Sequence, residues 1–98
     1  MKDYESVIIV KPDITKTNLK ELIKDLEKNL KKVSNITDKN EIGLRKLAYE
    51  IDGYNEGIYF CYNYRLKRPN RKESDEINLI ENYFKTRIEI IRYIIVDK

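Results

Sequence analysis

The sequence predicts an α+β sandwich of element order βαββαβ, with one four-stranded antiparallel sheet and two helices on one face. Three observations carry this. Four runs rich in β-branched and aromatic residues punctuate the chain, at Tyr4–Val10, Ile42–Ile51, Ile58–Tyr64 and Ile90–Val96. Two intervening segments carry apolar residues at helical spacing. The middle two runs follow each other directly through a glycine-containing turn, as in an antiparallel hairpin.

The first run, YESVIIV, stops at Lys11-Pro12-Asp13 and is apolar on both alternating faces near its end, as in a central strand. The first helix follows, with an apolar stripe of Leu19, Leu22, Ile23, Leu26, Leu30 and Val33. Asp13 or Thr15 is placed to cap it, because a short oxygen-bearing side chain accepts from free N–H groups of the first turn. Lys31 and Lys32 suit its negative C-terminal end. Ser34 to Glu41 is polar, with a possible strand start at Ile36. The run IGLRKLAYEI then alternates as a strand, with Arg45, Leu47, Tyr49 and Ile51 on one side and Leu44, Lys46, Ala48 and Glu50 on the other.

Asp52-Gly53 begins a turn that Asn55-Glu56-Gly57 ends, and IYFCYNY is the third strand. Arg65 to Lys72 is basic and broken by Pro69. Asn70 or Ser74 is placed to cap a second helix with the stripe Ile77, Ile80, Tyr83 and Phe84, and IIRYIIV closes the chain. Each half is a β-α-β unit, for which right-handed crossovers are the rule, and two such units interlock as the ferredoxin-like sandwich. Residues 1–98 are read as one such domain.

In this arrangement the helices cover one sheet face, and nothing remains to cover the other. Yet both alternating sets are apolar or aromatic: Val7, Ile9, Tyr59, Cys61, Tyr93 and Ile95 against Ile8, Val10, Phe60, Tyr62, Ile94 and Val96. On each strand one set must be partly open, which suggests a partner surface.

Composition narrows the chemistry. There is no histidine, so the commonest general base at neutral pH is missing. The single cysteine, Cys61, has no histidine to activate it and no partner for an internal disulfide, which fits a reducing cytosol. No Cys/His cluster offers zinc ligands, the three glycines never form a phosphate-cradling spacing, and no apolar run suffices for a membrane span. The expectation is a non-enzymatic protein with no cofactor, no metal, no small-molecule substrate and no membrane partner.

The net charge is +3, from 20 basic and 17 acidic residues, which is modest for a domain that binds nucleic acid unaided. Basic residues nevertheless stand beside aromatics: Lys2 with Tyr4, Arg45 and Lys46 with Tyr49, the run Arg65, Lys67, Arg68, Arg71 and Lys72, and Arg87 and Arg92 near the last strand. The RNA-recognition motif shares this element order, but its basic-glycine-aromatic signature is absent from the third strand.

The string GLRKLAYEI at Gly43–Ile51 resembles a diagnostic stretch of the bacterial small-subunit ribosomal protein six family. The opening MKDYESVIIVKPD is similar to that family's start, Gly57-Ile58-Tyr59 resembles its glycine-aromatic entry into the third strand, and IEIIRYIIV is similar to its closing segment. The likeness runs over essentially the whole chain. Glu50 stands where the family often has proline, the glycine common after the first helix is missing, and many members carry a longer C-terminal tail.

The resemblance implies a ribosome-associated, cytoplasmic protein. It would bind the central domain of small-subunit ribosomal RNA together with small-subunit ribosomal protein eighteen, as a heterodimer. By the same resemblance, Lys2, Tyr4, Arg45, Lys46, Tyr49 and Arg92 are expected to face RNA or the partner, although Tyr4 and Tyr49 would equally suit the core. The alternative is a ferredoxin-like regulatory domain that binds a small molecule, for which the chain lacks a glycine-rich strand-to-helix loop.

Overall fold

The computed structural model describes residues 3–67 and 73–98, with side chains in the second stretch from residue 75 onward. Its elements are β1 (Asp3–Val10), α1 (Lys16–Val33), β2 (Ser34–Ile51), β3 (Tyr54–Leu66), α2 (Glu73–Thr86) and β4 (Ile90–Asp97). The four strands form one antiparallel sheet in the order β2-β3-β1-β4, the ferredoxin-like arrangement. Crossing back over the sheet places both helices on one side, where their apolar stripes share a core with Tyr4, Ile8, Val10, Phe60, Tyr62, Tyr64 and Leu66.

Helix α1 starts as the sequence indicates. Thr15 is the N-cap, and its hydroxyl accepts from the Asn18 N–H at 3.1 Å. Leu22, Leu26 and Leu30 are fully buried, while Leu19, Ile23 and Val33 flank them. Burial of each such leucine stabilises the fold by about 1.5–3 kcal/mol. The exit needs no glycine, because Ser34 closes the helix itself. Its N–H and its Oγ both donate to the Leu30 carbonyl, the latter at 2.6 Å, and the chain leaves directly as β2. The stripe of α2 also lies as expected, with Ile80 and Phe84 buried and Ile77 and Tyr83 beside them. This helix begins at Glu73, so Ser74 stands inside it rather than ahead of it, and Asn70 lies outside the described residues.

Two boundaries differ from the expectation. The polar stretch Ser34–Glu41, read with a strand start at Ile36, is strand from Ser34 onward and forms the first half of β2, which runs for 18 residues. It is polar because β2 is an edge strand, where charged side chains also discourage pairing with other chains. Lys39 lies on the helix side and reaches Glu27 of α1 at 2.6 Å, and Glu27 also accepts from the Tyr62 hydroxyl at 2.9 Å. The hairpin turn is also tighter than expected. Only Asp52 (φ 49°) and Gly53 (φ 84°) form it, a two-residue turn with both φ positive, and Asn55, Glu56 and Gly57 belong to β3.

Candidate nucleic-acid and partner interface

The open sheet face is built in cross-strand rows. Gly43, Tyr59, Ile9 and Arg92 form one row, followed by Asn40, Cys61, Val7 and Ile94, then Asp38, Asn63, Glu5 and Val96. Alternation places these rows opposite the helices. The face is therefore zoned. One end is closed by internal polar contacts: Arg65 pairs with Asp3 at 2.7 Å, and the Lys98 ammonium donates to Asn63 at 2.5 Å. The Cys61 thiol donates to Glu5 at 2.9 Å. Burial, and then the Glu5 carboxylate, push this thiol up to about 11, so it stays protonated and inert at neutral pH. Next to this zone lies apolar surface, on which Ile94 is 53% and Val96 43% exposed.

Beyond the apolar zone comes a basic end. β1 stops pairing at Val10 opposite Ile58, so the segments around Arg45–Lys46 and Tyr54–Gly57 continue as a two-stranded arm. Two-stranded ribbons are marginal by themselves, and this one is anchored twice. Gly57 lies against Ile9 on the open face, so close that a Cβ on it would run into Ile9 Cγ2. Further along the same strand, toward the hairpin turn, the Tyr54 hydroxyl donates to the Asp13 carboxylate at 3.3 Å.

Arg45 pairs with Gly57 in the ladder, one alternation beyond the row that ends in Arg92. Arg45 and Arg92 therefore share the open face, at the same end. Lys46, the next residue along β2, points to the opposite side opposite Glu56. All three are exposed. Tyr49 is 66% exposed, so of its two readings the surface one holds. Its neighbours do not follow the simple alternation predicted for Arg45, Leu47, Tyr49 and Ile51, because β2 gains extra residues over β3 between Lys46 and Ile51. An earlier slip, between Glu41 and Gly43, is turned by Gly43 itself at φ 94°.

Tyr4 belongs to the core and not to the surface. It is 6% exposed, faces the helices and stacks on Tyr64 with ring centroids 6.1 Å apart. Lys2 lies outside the described residues, as do Arg68, Arg71 and Lys72. Of the six residues carried by the resemblance, the fold thus gathers Arg45, Lys46 and Tyr49 on the arm and sets Arg92 across the same face. Sequence reasoning read Gly57 as part of the turn and so missed its close approach to Ile9. The only signal for Gly57 was its proximity to the arm's base, and alternation alone does not reveal a close approach by Ile9. Among the described residues, no cluster of Cys, Asp or Glu has the geometry to hold a metal ion, and no helix is long and apolar enough to cross a membrane.

Comparison with known proteins agrees with this fold. A family model described as ribosomal protein S6 matches residues 3–97. The chain is 34% identical over 99 residues to small ribosomal subunit protein bS6 of Phytoplasma australiense, covering 100% of both chains. It is 36% identical over 98 residues to the bS6 protein of Thermoanaerobacter pseudethanolicus, covering 98% of this chain and 96% of that one. A crystal structure of 30S ribosomal protein S6 from Thermotoga maritima superimposes with a TM-score of 0.85 at 26% identity, covering 99% of this chain and 87% of that one.

Proposed function

Because the chain belongs to the ribosomal protein S6 family, and so to the structural proteins of the small ribosomal subunit rather than to enzymes, we propose that it binds the central domain of small-subunit ribosomal RNA as a heterodimer with small-subunit ribosomal protein eighteen. Membership in a ribosomal family leaves the regulatory-domain alternative without support.

The observation that carries the proposal is the zoning of the open sheet face. Half-exposed Ile94 and Val96 stand on the same face as Arg45 and Arg92, with Tyr49 exposed on the adjoining arm. The apolar zone suits burial against a protein. Cations with an aromatic neighbour suit phosphate and sugar, since cations hold the backbone and a ring edge packs on ribose or base. Division of labour also accounts for the modest net charge of +3: the RNA is held by the pair of proteins, not by this chain alone.

The test separates the two zones. Arg45→Ala and Lys46→Ala, singly and together, are titrated with a central-domain RNA fragment across salt concentrations, with and without the partner. Each lost phosphate contact should lower the salt slope by about 0.7–0.9 and weaken binding, with the fold unchanged. Ile94→Glu should abolish heterodimer formation and leave the isolated chain folded, because residue 94 is 53% exposed. Wild-type affinity, salt slope and heterodimerisation across these variants would refute the assignment.

A further inference from the structure

The other side of the molecule carries a charge pattern that the open face does not explain. Along α1, Lys16, Lys20, Lys24, Lys28 and Lys32 recur every fourth residue, with Lys31 among them, and all six are exposed. The stripe spans about 24 Å of helix axis and winds across the face turned away from the leucines. Helix α1 carries six lysines against three acids, a net of +3 that equals the charge of the whole chain.

Helix stability accounts for Lys31 and Lys32, which sit at the negative C-terminal end, but not for the rest. The first turn of α1 contains no acidic residue, and Lys16 there meets the positive end of the helix dipole. The pairs 16/20, 20/24, 24/28 and 28/32 are like charges at a spacing where side chains face each other and repel. Among the described residues, none of Lys16, Lys20, Lys24, Lys28 or Lys32 makes an ion pair.

The acids nearest the stripe are committed elsewhere. Asp25 accepts from the Tyr83 hydroxyl at 2.7 Å and from Arg87 at 3.2 Å, tying α1 to α2 and to the start of β4. Glu27 holds Lys39 and Tyr62. Only Glu21 stays among the lysines as an exposed acid. Two further cations border the stripe. The Lys67 ammonium donates to the Lys31 carbonyl at 2.6 Å, and Arg87, itself paired with Asp25 and Glu89, lines an open depression with Glu21, Lys24, Asp25 and Lys28.

We propose that this face of α1 is a second RNA contact, lying along the phosphate backbone of a duplex segment on the side of the molecule opposite the open sheet face. The proposal rests on the RNA-binding reading above and extends it: the protein bridges two RNA segments. RNA is favoured over an acidic protein because lysine is depleted in protein–protein interfaces and this stripe exposes no large apolar residue for such a partner to bury. Lysines act on phosphate as point charges, so the contact positions the chain without reading sequence. A polyanion would also relieve the lysine–lysine repulsion that the free helix carries.

The test uses the full chain with Lys20→Gln, Lys24→Gln and Lys28→Gln combined, since glutamine matches lysine in helix propensity and circular dichroism checks the fold. Wild type, this triple variant and the Arg45→Ala/Lys46→Ala variant are titrated across salt. The probes are the central-domain RNA fragment in the presence of the partner, and an unrelated RNA duplex. The triple variant should bind both RNAs more weakly, with a salt slope smaller by about 0.9 for each lysine engaged, or about 2.7 in all. If it keeps wild-type affinity and slope while the arm variant weakens, the α1 proposal falls and the open-face reading stands. If wild type binds neither RNA, both fall. Loss of partner binding with RNA affinity unchanged would overturn the proposal in favour of an acidic protein surface.

Discussion

Gly57→Ala isolates the contact that seats the arm on the sheet. Gly57 is not in the left-handed region, so alanine is allowed by the backbone. Its Cβ would sit 3.5 Å from the Val10 carbonyl oxygen and 3.7 Å from Leu47 Cδ2, both ordinary contacts, but would collide with Ile9 Cγ2. That methyl is bonded directly to Ile9 Cβ and moves away only by rotating χ1 or shifting the strand. Ile9 is 7% exposed, which leaves little room for either. Overpacking of this kind costs about 1–3 kcal/mol. Against it stands the lower unfolded-state entropy of alanine, about 0.4–1 kcal/mol in its favour.

The net loss should be about 1–2 kcal/mol, and each kcal/mol should lower Tm by about 4–8 °C for a domain of this size. The assay is a double-mutant cycle by urea denaturation. In an Ile9→Ala background the obstructing methyl is gone, and Gly57→Ala should become neutral or stabilising by up to about 1 kcal/mol. Ile9→Val, which keeps both γ branches, should not rescue it. The reasoning fails if Gly57→Ala lies within about 0.5 kcal/mol of wild type, or costs the same in both backgrounds.

Two further outcomes follow from the polar contacts of the helix-facing side. Tyr64→Phe removes the hydroxyl that meets Ser6 Oγ at 2.8 Å in the fully buried core, and should cost about 1–3 kcal/mol, whereas Tyr64→Phe with Ser6→Ala should recover much of that, as read by denaturant midpoints. Burial raises the Glu27 carboxyl, but the hydrogen bonds from Lys39 and Tyr62 outweigh it and hold the group below its ordinary value of 4.5. A depressed folded value means that its stabilisation is fully present above the unfolded pKa and is lost as pH falls through the folded one. Glu27→Gln should therefore cost less than about 1 kcal/mol at pH 7 and converge on wild type as pH falls through the lowered folded value, and a difference that persists in acid below it would contradict the linkage.

The sequence by itself determined the order of elements and the buried stripes of both helices, and narrowed the first cap to Asp13 or Thr15. These depend on neighbours within a turn or two, where periodicity and side-chain oxygens act directly. It also placed Asp52-Gly53 at the hairpin, because those residue types tolerate positive φ. Tertiary structure alone decided which alternating set faces the helices. Val7 and Ile9 are as apolar as Ile8 and Val10, and Ser6 and Tyr64 entered the core because each supplies the other's hydrogen bond. It also made the polar run Ser34–Glu41 a strand, through pairing with β3 and the reach of Lys39 to Glu27. The grouping of Arg45 with Arg92, from strands at opposite edges of the sheet, was likewise set by register across β3 and β1, and no local pattern encodes it. Contacts between residues distant along the chain are fixed by packing, and one-dimensional periodicity is silent about which face the packing chooses.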